Sequence, residues 1–174
     1  MTRLRLPPPP RALAFLLAAL PLAWLVAGVM GLPAADLGPN PVRELTHFTG
    51  KTALNLLGIT LLISPLRSLS GDARWLRLRR MMGLWAFAYA ALHFAVYAVL
   101  ELDLSLSELG RELVKRPYIW VGAAALLGLL PLAVTSTDRM MRRLGRRWQA
   151  LHRLVYAIAA LAVWHYAWQV KADL

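Results

Sequence analysis

The sequence predicts an all-α integral membrane protein, a polytopic helical bundle with five transmembrane helices. Three observations lead there. Of 174 residues, 59% are hydrophobic, too many for an ordinary soluble domain and far too many for a disordered chain. The apolar residues gather in five segments, about 12–32, 47–65, 81–100, 117–135 and 149–170, each of the roughly 18 to 22 residues that a helix needs to cross a bilayer. Between them lie helix-breaking stretches such as GLPAADLGPNP and SLSGD, which read as turns and loops.

Helix one follows Arg3, Arg5, Arg11 and a PPPP run. Its apolar core exceeds the roughly 7–15 residues of a signal-peptide h-region, so it is expected to be retained. Residues 1–11 read as a stiff cytoplasmic lead-in, and residues 12–174 as one membrane domain with short connections and no evident internal repeat. Helix two opens with THFTGKTALN, in which His47, Lys51 and Asn55 form an i, i+4, i+8 polar row. That row is expected to face the bundle interior, with Lys51 pairing a cofactor carboxylate and His47 contacting a quinone or haem. Equally, Lys51 snorkels to the surface and His47 caps the helix. The GKT is no phosphate-binding loop, because Leu45 stands where a glycine is required.

Charge orients the helices. Thirteen Lys and Arg residues fall before helix one, between helices two and three, and between helices four and five, against four in the other two loops. The positive-inside rule then places the N-terminus in the cytoplasm. The net charge of +11 and pI near 11.2 thus reflect topology and anionic lipid, and no nucleic-acid partner is expected. With no cysteine, disulfides and thiolate-held metals are excluded.

Histidines carry the chemistry. An imidazole in hydrocarbon is costly unless it is paired or binds something. Counting along ideal helices, His93 lies ~18 Å above the inner start of helix three, and His165 ~24 Å above that of helix five. Both fall in the outer half of the bilayer, where two neutral imidazoles from different helices suit the two axial positions of a haem iron. The alternative is a pair of core histidines bonded to carbonyls. His152 lies only ~5 Å above the start of helix five and ~140° around from His165. It is a second-site ligand or an interfacial histidine. Arg79 and Arg80, at comparable depth on helix three, are poor iron ligands but suit a phosphate or propionate. A flavin near Arg79, Arg80 and His152 would bridge the inner leaflet.

The remaining conspicuous residues read structurally. Trp120, Trp148 and Trp168 mark helix ends at the interface. Gly28, Gly58, Gly83, Gly122 and Gly128 allow close helix approach. Met81, Met82, Met140 and Met141 sit at the cytoplasmic surface. There is no dinucleotide-binding loop, nucleophile–base pair or carboxylate cluster. Such a chain carries electrons between separate donor and acceptor molecules.

Several long motifs point to a family: GPNPVRELTHFTGKTALNLLGITLLISPLR, LRRMMGLWAFAYAALHFAVYAVLEL, ELVKRPY and TSTDRMMRRLGRRWQALHRLVY…WHYAW. Over roughly residues 38–170 the chain resembles the MsrQ (YedZ) family, haem-binding membrane subunits of the bacterial methionine-sulfoxide reductase system. The resemblance implies a ferric-reductase-like transmembrane domain of the bacterial inner membrane, with haem b and FMN. Electrons would come from the quinone pool or a cytosolic flavin reductase and pass to MsrP, a periplasmic molybdopterin reductase that repairs oxidised methionines. The family's haem histidines map onto His93, His152 and His165. The family usually has a sixth helix, whereas this chain stops at Leu174; haem binding is expected to persist, since the histidine helices are complete. Competing readings are a membrane cytochrome b of another ferric reductase or dehydrogenase, and a haem-free membrane scaffold.

Overall fold

The computed structural model describes residues 8–33 and 35–172. Arg3, Arg5 and most of the 1–11 lead-in lie outside the described residues. Every regular element among the described residues is helical. The chain divides between Val96 and Tyr97 into two compact units.

The first unit holds α1 (Arg11–Val29), α2 (Pro41–Ser70) and α3 (Trp75–Val96). Helix α2 starts six residues before the expected boundary, because Asn40 caps it by accepting from the Arg43 N–H at 3.2 Å and Pro41 occupies the first turn. His47 is therefore not the cap. The helix stops at Gly71, whose φ of 72° is left-handed and whose N–H donates to the Arg67 carbonyl at 2.8 Å. The turn to α3 is held by Asp72, which accepts from the Arg74 N–H at 2.8 Å. Helices α2 and α3 form the main packed pair, and α1 lies against both. Tyr89, buried on α3, donates its hydroxyl to the Ala18 carbonyl of α1 at 2.9 Å, and Trp24 stacks on Phe48 with ring centroids 4.6 Å apart.

The second unit opens with a π-helical turn (Tyr97–Glu101), then α4 (Leu106–Lys115), α5 (Tyr118–Val134), α6 (Asp138–Leu144), α7 (Arg146–His152) and α8 (Val155–Ala172). Pro117 bars the preceding Arg116 from the helical region. Arg116 accordingly has φ −125° and ψ 78°, and α4 meets α5 at a bend of 115°. Helices α5 and α8 form the packed core of this unit.

The outward surface is apolar. Leu16, Leu62, Leu127 and Val134 are each more than 60% exposed, a lipid-facing arrangement in a multi-pass membrane protein. Among the described residues three helices, α1, α2 and α3 with its π-turn, are long and apolar enough to span, and α4 with α5 makes a fourth if the bent pair is one span. The fifth expected segment is not one continuous helix: Arg153 and Leu154 form a turn between α7 and α8, tightened by hydrogen bonds from Leu154 N to Leu151 O and Tyr156 N to Arg153 O. His165, Gln169 and Lys171 lie in the C-terminal half of α8.

Candidate functional site

In the first unit, α3 brings His93 against α2. Its Nδ1 lies 2.8 Å from the Thr46 carbonyl oxygen. A carbonyl can only accept, so Nδ1 carries the proton and Nε2 is the lone-pair nitrogen of the neutral ring. Thr46 is buried, and the fully buried Thr49 one turn on donates its hydroxyl to the carbonyls of Leu45 at 2.7 Å and Thr46 at 3.0 Å. The threonines thereby satisfy their hydroxyls on their own helix and present methyls to the interior.

The second unit repeats the device. His165 on α8 places Nδ1 2.7 Å from the Tyr118 carbonyl oxygen at the start of α5. The same tautomer follows. The Tyr118 ring lies 5.8 Å from the imidazole centroid, tilted by 53°. Each unit thus contributes one half-buried histidine whose proton is spent on a backbone carbonyl, the arrangement that orients metal-ligating histidines and raises their basicity.

Among the described residues no three His, Cys, Asp or Glu side chains gather in metal-binding range. Any iron here would need to bring its equatorial ligands with it, as a porphyrin does, and take only axial nitrogens from the protein. Each imidazole, oriented by its carbonyl, could supply one such nitrogen.

His152 ends α7 beneath Trp148, the ring centroids 3.9 Å apart and tilted by 36°. Both its ring nitrogens are shielded from solvent. The Trp148 indole N–H donates to the Thr135 carbonyl at 2.9 Å, which holds the indole over His152. The turn at Arg153–Leu154 also removes the ideal-helix relation between His152 and His165 on which the ~140° rotation rested. Arg79 and Arg80 are half-buried near the start of α3, roughly 20 Å along the helix from His93.

The polar row of α2 does not face the interior. Lys51 and Asn55 are exposed, and the buried face is Thr46, Thr49, Leu56, Leu57, Thr60 and Ile63. His47 is half-buried and borders a cleft of ≈ 390 Å³ with Asp36, Arg43 and Glu44, a lining suited to hydrated or charged groups. Met82 is buried inside the first unit, unlike its expected surface position. Of the five expected close-approach glycines, Gly58 has open space around it, while Gly28, Gly83, Gly122 and Gly128 sit against neighbouring side chains. The carbonyls of Thr46 and Tyr118 were not foreseen, since a backbone acceptor has no residue-type signature.

Residues 49–163 match the family described as "Ferric reductase like transmembrane component", a stretch that includes His93 and His152. The chain is 50% identical over 153 residues to the protein-methionine-sulfoxide reductase heme-binding subunit MsrQ of Xanthomonas axonopodis pv. citri, covering 88% of this chain and 70% of that one. It is 51% identical over 158 residues to the MsrQ subunit of Cronobacter sakazakii, covering 90% and 77% respectively. No solved structure matches.

Proposed function

Since the chain belongs to the MsrQ family of ferric-reductase-like transmembrane components, we propose that it is the haem-binding electron-transfer subunit of a methionine-sulfoxide reductase system. In this reading His93 and His165 would hold haem b, and electrons would leave for the periplasmic reductase MsrP. The observation that carries it is the 50–51% identity to haem-binding MsrQ subunits over most of the chain; the bonds from Nδ1 of His93 and His165 to backbone carbonyls, at 2.8 and 2.7 Å, support it by orienting the two rings.

Bound haem would supply one-electron redox chemistry. The protein's own part is electrostatic and steric. The carbonyls of Thr46 and Tyr118 stabilise a partial positive charge on each ring, and the apolar helices keep water away from it. Arg79 and Arg80 are the residues we assign to an FMN phosphate or a haem propionate. The shielded, stacked His152 serves as a second-site ligand or a cofactor-edge contact. Electrons enter from a quinone or a cytosolic flavin reductase. The distribution of basic residues among the loops supports a bacterial inner-membrane protein with its N-terminus cytoplasmic.

The test is electron delivery. Chemically reduced protein is mixed anaerobically with MsrP and a methionine sulfoxide substrate, and the haem absorbance is followed. Reoxidation that needs both MsrP and sulfoxide supports the assignment. Equal reoxidation by a ferric chelate with no response to MsrP would favour a general ferric-reductase cytochrome.

A further inference from the structure

The two histidine contacts share more than chemistry. His93 bonds the carbonyl 47 residues before it, and His165 does the same. In both units a glycine four residues after that carbonyl, hence on the same helix face, lies under the imidazole. A Cβ on Gly50 would sit 3.1 Å from Cε1 and Nδ1 of His93, and one on Gly122 would sit 2.7 Å from Cε1 and 2.8 Å from Nδ1 of His165. A single shift of 72 residues carries Thr46, Gly50 and His93 onto Tyr118, Gly122 and His165. The same shift superposes the buried faces of α2 and of the α5 segment: Thr46, Leu57, Thr60 and Ile63 fall on Tyr118, Leu129, Leu132 and Thr135, all buried. The repeat that the sequence hides is present in the packing.

We propose that the two units are tandem copies of one histidine socket, and that Gly50 and Gly122 are positioning residues that fix the imidazoles of His93 and His165 against their carbonyl partners. The proposal rests on the haem reading above. An imidazole is a rigid ring with no flexible end to yield. A methyl group at position 122 would displace the His165 ring and break its bond to Tyr118, while at position 50 the intrusion is milder and the His93 ring shifts by a few tenths of an ångström. The two sockets therefore respond in a fixed order. Gly58, on the same helix as Gly50, faces open space and is the matched control.

The experiment uses the full chain in detergent, as wild type and as Gly122→Ala, Gly50→Ala and Gly58→Ala. Haem content, the low-field g value of the ferric low-spin signal and carbon monoxide binding by the ferrous form are measured. The expected result is a loss of haem affinity of about tenfold or more in Gly122→Ala, the scale seen when an outer-shell partner of a metal ligand is removed, with carbon monoxide binding to the haem that remains. Gly50→Ala keeps its haem with a shifted g value, and Gly58→Ala matches wild type. Wild-type spectra in both Gly50→Ala and Gly122→Ala would overturn the proposal, and Gly50→Ala decides alone if Gly122→Ala is not monodisperse. If the wild type takes up no haem, the function assigned above fails, and nitrogen NMR of labelled histidine in the haem-free protein still tests the sockets. A protonated Nδ1 on His165 whose resonance moves in Gly122→Ala, or in Gly50→Ala for His93, supports them; unmoved resonances overturn them.

Discussion

Trp148 closes over His152, the two rings 3.9 Å apart, with the indole N–H anchored on the Thr135 carbonyl at 2.9 Å. The anchor fixes the indole plane over an imidazole whose two nitrogens are both shielded from solvent. His152 should therefore resist acylation by diethyl pyrocarbonate in the folded protein. In Trp148→Ala it should be modified several-fold faster, as read by peptide mass spectrometry. Equal rates in both proteins would show that the indole is not what covers it.

The turn between α2 and α3 carries a pH signature. Asp72 accepts from Arg74 Nε at 2.9 Å as well as from the Arg74 backbone N–H. The side-chain bond first, then the backbone bond, holds the carboxyl below its ordinary 3.8, against a smaller opposing effect of desolvation. The sign follows: with the folded value depressed, the stabilisation is complete above the unfolded value and is lost as pH falls through the folded one. Arg74→Ala should return the Asp72 titration toward 3.8, measured by carbon NMR of the labelled carboxyl. Because the pair is exposed, global stability should barely change.

Helix α4 turns 115° from α5, so it runs closer to the membrane plane than to its normal if α5 spans. It leaves Leu106 and Val114 83% and 85% exposed, beside Glu108 and Arg111, which pair with each other. Such a helix belongs in the interface, with its apolar side chains among acyl chains. Tryptophan in place of Leu106 should be quenched more strongly by vesicles of brominated lipid than by unbrominated ones, relative to a Glu108→Trp reference. Equal quenching of the two would place α4 in water.

Much of this architecture is legible in the residues, and the failures have physical causes. Segments 12–32, 81–100 and 117–135 are visible because nothing charged interrupts them, and Pro41, Asn40 and Gly71 bound α2 by ordinary capping chemistry. For the polar row of His47, Lys51 and Asn55 the sequence leaves two readings, inward to a cofactor or outward to the surface. Threonines took the inner face instead, since a hydroxyl bonded to the preceding turn buries like an apolar group. The break at Arg153–Leu154 has neither proline nor glycine to announce it. His93 and His165 stood out by type; their carbonyl partners could not, and the shift of 72 residues that relates them survives in a buried face and two glycines, not in a readable repeat.

The central claim is that His93 and His165 hold a haem. Its most direct test is the reduced-minus-oxidised visible spectrum of the purified protein and of His93→Ala, His165→Ala and His152→Ala. Sharp b-type bands in the wild type and in His152→Ala, lost in His93→Ala and in His165→Ala, are the predicted result. Bands that survive loss of His165 but vanish with His152 would contradict it, and would move the second ligand from α8 to the end of α7.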